Sequence, residues 1–242
     1  MTLADLSSDI GPRLTELDWS VIENELDQYG CTAVSRLLDS EQCHSLKSLY
    51  GDDTKFRSQI NMANHGYGRG EYKYLAYPLP ELVQDLRERL YPRLLPIANR
   101  WNDTMRSEVR FPPTHAEFLE RCHGAGQLRP TPLILSYGEG DFNCLHQDLY
   151  GEHVFPLQIA ILLSEPDMDF TGGEFVITEQ RPRMQSRVQV VPLRKGDACI
   201  FAVHHRPVPG SRGIYRVNMR HGVSRVRSGT RQTLGIIMHD AQ

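Results

Sequence analysis

The residues whose types and spacing could do chemistry are two histidines and one aspartate. His146 and Asp148 form a His-x-Asp pair at the end of an apolar run, and on an extended strand residues two apart point the same way. His221 follows 75 residues after His146, and Arg231 comes ten residues later. Two imidazoles and one carboxylate can occupy one face of an octahedral Fe(II) and leave three positions open. Arg231 supplies the positive group that would hold a dicarboxylate beside such a metal, since a planar guanidinium binds carboxylates bidentately. Taken singly, either histidine reads as an ordinary hydrogen-bonded side chain. The conjunction with Asp148 and Arg231 is what makes a ligand set.

The elements that must position these residues fall into two halves. In the first, Trp19, Ile22 and Leu26 lie at helical spacing within 16–28, and Tyr29-Gly30 stops that helix before a short apolar strand, Cys31 to Val34. Asp39 and Ser40 can cap a second helix carrying Cys43, Leu46, Leu49 and Tyr50. Residues 51–79 are polar and glycine-rich, then aromatic, and read as a loop leading into a strand from Tyr72 to Tyr77. The run Asn64 to Tyr74, with glycines alternating with Tyr and Arg, is a candidate substrate lid. Pro80 opens a helix through Tyr91 that Pro92 and Pro96 are expected to interrupt, with a helical pattern resuming to Trp101. Thr114 and Glu117 have capping-box spacing for a fourth helix, ended by His123-Gly124.

From Pro130 the pattern changes to short β-rich runs: Leu133 to Tyr137, Phe155 to Leu163, Glu174 to Thr178, Val188 to Val191, Ala198 to Val203, Ile214 to Asn218 and Thr233 to Met238. Gly/Asp/Pro turns separate them, which is the signature of a sandwich or barrel. One domain is expected, with residues 1–129 as a helical and mixed support and 130–242 as the catalytic core.

Composition narrows the classes. At 242 residues, 40% hydrophobic and 24% charged, the chain is an ordinary globular protein rather than a disordered one. No apolar run approaches the roughly 18 residues of a membrane span, and the N-terminus lacks the basic and apolar regions of a signal peptide. A cytoplasmic location is the default expectation. Five cysteines without C-x-x-C spacing read as free thiols, not as a disulfide framework or zinc knuckle. The net charge of -3 hides an asymmetry: residues 181–231 hold twelve basic side chains against one acid, Asp197. Such a segment suits an anionic partner such as nucleic acid, or else strand alternation turns its arginines to solvent. Nothing in the sequence sets the oligomeric state.

The motifs around the histidines add specificity. Tyr137-Gly-Glu-Gly140 precedes the first pair, Gly172-Gly173-Glu174 follows it, and Lys195-Gly-Asp-Ala198 comes before His221. In this register the chain from about 130 to 240 resembles the prolyl 4-hydroxylase-like branch of the Fe(II)/2-oxoglutarate dioxygenase superfamily. The resemblance implies a mainly β fold, a double-stranded β-helix (jelly-roll) core with the helical N-terminal half packed on it. It implies His146, Asp148 and His221 as iron ligands, Arg231 as the salt-bridge partner of 2-oxoglutarate, and Tyr137 as a second donor to the same carboxylate. Gln158 takes a position where the branch often has a cosubstrate-contacting Thr. Asn143 departs from the aromatic residue usual three before the first ligand. His204-His205, adjacent on a strand and so facing opposite sides, read as non-ligands, with one left as a candidate cavity wall. His239-Asp240 reads as a strand end.

The expected activity is oxidative decarboxylation of 2-oxoglutarate, with Fe(II) and O2, coupled to hydroxylation of a prime substrate. The branch resembled oxidises protein side chains. Two other substrate classes stay open: alkylated nucleic acid, by oxidative demethylation, and small molecules. The first is favoured by the basic 181–231 segment but lacks the Arg-x-Asn-x-Thr-x-Arg finish of the alkylation-repair branch. From another class, a non-catalytic jelly-roll binding protein would need neither a complete ligand set nor an intact cosubstrate arginine.

Overall fold

The computed structural model describes residues 10–210 and 213–242. The N-terminal stretch read for a leader sequence and Arg212 lie outside the described residues. In chain order the elements are α1 (Gly11–Glu16), α2 (Trp19–Tyr29), β1 (Cys31–Val34), α3 (Ser40–Leu49), β2 (Phe56–Asn61), β3 (Gly68–Arg69), β4 (Glu71–Leu75), α4 (Glu81–Thr104) and α5 (His115–Gly124). The strands β5 (Leu133–Tyr137), β6 (Phe142–His146), β7 (Leu157–Leu162), β8 (Phe170–Gly172), β9 (Phe175–Gln180) and β10 (Arg187–Val191) follow. Then come β11 (Ala198–Ala202), β12 (His205–Gly210), β13 (Gly213–Val223), β14 (Val226–Gly229) and β15 (Arg231–Ile236).

The strands form two antiparallel sheets. The larger has the order β1-β11-β7-β15-β5-β4-β2, and the smaller β10-β9-β13-β6-β3 with β12 paired to β13. A separate pair, β14 and β8, bridges the turn before β15. This is the expected double-stranded β-helix. Strands from before residue 130 extend both sheets: β1, β2 and β4 the larger, β3 the smaller. β7, β11 and β15 are buried along their whole length, because one face meets the other sheet and the other meets helices. α2 packs on β1, β11 and β12, and α4 on β12 and β15.

Local chemistry accounts for the helix ends. The Asp39 side chain accepts from the Glu41 and Gln42 amides while Gln42 reaches back, and Thr114 and Glu117 close a second capping box. Two expectations are corrected. Pro92 and Pro96 do not interrupt α4, which runs unbroken for 24 residues. Both prolines and Glu88 lie on the exposed face, so the Glu88 and Pro92 carbonyls that lose their amide partners can turn to water, while Leu90, Leu94, Ile97 and Trp101 stay packed on the inner face. Residues 51–79 are not mainly loop: β2 pairs with β4 through them. Its half-exposed sequence, FRSQIN, offers little hydrophobic alternation, so only the pairing partner reveals it.

The segment after β15 is more than a strand end. Asp240 is fully buried and accepts from Arg87 of α4 at 2.9 Å, from Tyr77 at 2.8 Å and from His123 at 2.9 Å. Arg87 and His115 also donate to the Met238 carbonyl. The helical layer is thereby fastened to the end of a central strand. The variant Asp240→Ala leaves the Arg87 guanidinium buried without its carboxylate. It is expected to lower stability by about 3–5 kcal/mol, as is usual when one partner of a buried pair is removed. Denaturant unfolding measures this, and a loss below about 1 kcal/mol would show that the pair does not anchor the layer.

Candidate active site

The sheets enclose a cavity of about 200 Å3. Leu133, Leu135 and Tyr137 of β5, Gln158 and Ala160 of β7, Phe201 of β11, and Arg231, Thr233 and Gly235 of β15 form one wall. His146 of β6, Phe175 of β9 and His221 with Val223 of β13 form the other, and Tyr67, Tyr72 and Tyr150 close the rim.

Strand pairing brings the two histidines together. β13 and β6 are antiparallel with His221 directly opposite His146, just before a register shift. Their rings lie 4.2 Å apart between centroids. β6 ends at His146, so Asp148 reaches the same point from beyond the strand rather than by strict alternation. His146 Nε2 is 3.3 Å from Asp148 Oδ1, and His221 Nε2 is 3.3 Å from Oδ2. Potential ligand atoms of the three residues lie within 4.8 Å of one another, close enough to hold one metal ion.

The hydrogen bonds aim these atoms inward. His146 Nδ1 donates to the Cys144 carbonyl at 2.8 Å, which directs Nε2 to the shared centre. Burial works to raise the Asp148 carboxyl, but the two imidazoles hold it well below the ordinary carboxylate range. Burial likewise opposes charge on His146, yet the hydrogen bond to Asp148 and its negative charge lift this imidazole upward. His221 is pushed down by burial and by the neighbouring His146 charge. Phe201 and Phe175 stand 4.6 and 6.1 Å from the His221 ring and keep that side apolar.

Arg231 sits opposite Tyr137 in the β15–β5 register and is 2% exposed. Burial pulls its guanidinium down to about 10, with Tyr137 and Glu174 acting the other way. It donates to Thr233 Oγ1, its Nε has no partner, and no carboxylate among the described residues pairs with it. The guanidinium carbon lies 5.7 Å from the Tyr137 ring and 5.9 Å from Phe170. Gly173 makes the space: at φ +62°, a Cβ there would stand 2.9 Å from Arg231 Cδ. Gln158 Oε1 and His221 Nδ1 are also buried without partners. Of these atoms, the Arg231 Nε–H is a buried donor that an anionic ligand in the cavity would satisfy. A metal and a dicarboxylate fit this donor set.

The six residues singled out from the sequence all line this cavity. His204 and His205 do not. They line a separate cleft with His153 and Arg216, which corrects the expectation that one might wall the main cavity. Only the His204 carbonyl bears on the site, accepting from Gln147 Nε2 at 3.2 Å. Sequence reasoning missed Tyr150, Phe175, Phe201 and Gln147. The Tyr/Gly-rich stretch pointed to the rim through Tyr67 and Tyr72, but no spacing rule singles out the others.

The basic segment divides by alternation. Arg216 and Arg220 are exposed on β13 while Val217, Met219 and His221 face inward. Arg206 is buried against Glu179, which also pairs with Arg181 and Arg187. Arg183, Arg194, Arg225 and Arg227 are exposed.

The fold is shared with solved structures of a prolyl 4-hydroxylase and of a 2OG-Fe(II) oxygenase family protein. A prolyl 4-hydroxylase from Pseudomonas putida superposes with a TM-score of 0.53 at 12% identity, over 93% of this chain and 99% of that one. A 2OG-Fe(II) oxygenase family oxidoreductase from Burkholderia pseudomallei gives 0.53 at 15% identity, over 93% of each chain. Residues 70–241 match the model of a family described as an oxygenase catalysing oxidative methylation of damaged DNA, and the chain belongs to that family. An uncharacterised protein of Mycobacterium tuberculosis is 49% identical over 164 residues, 68% of this chain and 70% of that protein. The family is one of oxygenases, and the His-Asp-His set is arranged to hold a metal ion.

A buried guanidinium without a carboxylate partner is costly to the fold. Arg231→Met, similar in length and apolar, is expected to stabilise the ligand-free protein by on the order of 1 kcal/mol. Calorimetry of wild type and variant reads this directly. A variant less stable than wild type would mean that the Thr233 hydrogen bond and ring contacts outweigh desolvation.

Proposed function

We propose that His146, Asp148 and His221 bind Fe(II), and that Arg231, with Tyr137 and Gln158, binds 2-oxoglutarate beside it. The observation that carries this reading is the unpaired, buried Arg231 in the same cavity as the three potential ligands. With both bound, such a centre supplies O2-dependent oxidation, in which 2-oxoglutarate becomes succinate and CO2 and one oxygen atom enters a substrate C–H bond. The chain's own groups then have defined tasks. Arg231 takes the distal carboxylate as a bidentate ion pair. Tyr137, whose hydroxyl is buried and held in its protonated form by desolvation, donates to that carboxylate. Phe175, Phe201 and Val223 exclude water from the reacting centre. Residues 1–129 support the core of 130–242 as parts of one catalytic domain.

For the prime substrate we infer an alkylated base in damaged nucleic acid, ahead of a protein side chain or a small molecule. The family description favours DNA, and the exposed Arg183, Arg194, Arg216, Arg220, Arg225 and Arg227 suit phosphates. Oxidation of an N-methyl group gives an N-hydroxymethyl group, which releases formaldehyde.

Anaerobic addition of Fe(II) and then 2-oxoglutarate to the apoprotein is expected to produce the weak visible charge-transfer absorption of the chelate. His146→Ala and Arg231→Met should both lose it. A wild-type protein with neither absorption nor 2-oxoglutarate affinity would remove the oxygenase assignment of this site and favour a jelly-roll binding protein. For the substrate, affinity for a methylated oligonucleotide is expected to fall steeply as salt rises from 50 to 200 mM, by about tenfold or more for even a few phosphate contacts. Salt-independent or absent binding, with turnover on a peptide, would reverse the choice of substrate.

A further inference from the structure

We propose that Tyr150 is a positioning residue for the Asp148 carboxylate, occupying Oδ1 so that Oδ2 alone is offered to a metal. The inference rests on the metal-site reading above and adds to it a residue outside the ligand set.

The two oxygens of a carboxylate are chemically equivalent, and the histidines do not separate them: each oxygen has one imidazole nitrogen at 3.3 Å. Tyr150 does. Its hydroxyl donates to Oδ1 at 2.7 Å, a full-strength bond where the imidazole distances are long. The count of coordination positions makes this matter. One carboxylate oxygen and two imidazoles leave three of six positions, enough for a chelating 2-oxo acid and O2 together. A carboxylate binding through both oxygens leaves only two. Holding one oxygen in a hydrogen bond keeps the third position open.

Tyr150 is itself held for the purpose. The fully buried Gln127 donates from Nε2 to the Tyr150 and His153 carbonyls, at 3.1 Å each, and accepts from the His153 amide at 2.8 Å. The same Nε2 donates to the Asp240 carbonyl at 2.5 Å, so the turn after Asp148 is tied to the C-terminal segment. Gly151 permits the approach, since a Cβ there would come within 2.5 Å of Gln127 Cδ. The Tyr74 ring stands edge-on to Tyr150 at 6.3 Å, and His239 flanks it at the same distance.

The test compares wild type with Tyr150→Phe, which keeps the ring and deletes the donor, using Co(II) as a spectroscopic probe alongside Fe(II) under anaerobic conditions. The metal-free variant is expected to fold and to melt a few degrees below the wild type, since a buried carboxylate loses one donor. Both metals should bind about tenfold more weakly, the usual scale for losing an outer-shell partner. The Co(II) d–d absorption should change in intensity as the carboxylate changes its mode of binding. A Tyr150→Phe protein with wild-type affinity and spectrum overturns the role given to Tyr150 and leaves the ligand set intact. A wild-type protein that binds neither metal overturns the ligand set, and the role of Tyr150 with it.

Discussion

The structure depends on one electrostatic constraint, the burial of a carboxylate and a guanidinium in the same apolar cavity without letting them neutralise each other. Asp148 has two imidazoles and a phenol within reach, so its charge is compensated locally. Arg231 has one hydroxyl and two aromatic faces, so its charge is not. A charge left unpaired in a low-dielectric interior is strongly unfavourable unless a ligand supplies the counter-charge. The surrounding sheets hold both groups in place, and Arg231 leaves a positive charge on the cavity wall without a carboxylate partner among the described residues.

The sheets can do this because the relevant side chains stand on their most rigid strands. β15 lies between β7 and β5 in the middle of the larger sheet, and Arg231 is its first residue. His221 sits where β13 is paired on both sides, to β9 and β6. Asp148 alone is carried by an irregular segment, and that segment has the densest set of side-chain-to-backbone hydrogen bonds around the site, from Gln127 and Gln147. The helical layer contributes at one remove. Arg87 and His115 hold the Met238–Asp240 stretch, and Gln127 joins that stretch to the turn carrying Tyr150.

Solved structures of this fold at 12–15% identity speak to architecture, and the same shell serves chemically different substrates in its various families. In this chain Tyr67, Tyr72 and Tyr150 line the cavity beside the potential ligands.

Much of this was legible in the sequence. The helix caps at Asp39 and Thr114, the strand Cys31–Val34 and the β-rich half after Pro130 follow from local propensities and short-range hydrogen bonds. The candidate ligands and Arg231 could be read because their spacing is constrained by chemistry that tolerates few substitutes. Tertiary structure decided what depends on partners distant in the chain. β2 forms because β4 pairs with it, and α4 passes through two prolines because both face water. Asp240 becomes a buried anion because Arg87, 153 residues away, lies beside it. The segment from Tyr150 to His153 that follows Asp148 is fastened by Gln127, which lies more than twenty residues earlier in the chain. Sequence determines the residue types a site can use and the local elements that carry them. Which side chains meet, and which charges are left without a partner, is settled only when packing brings remote segments together.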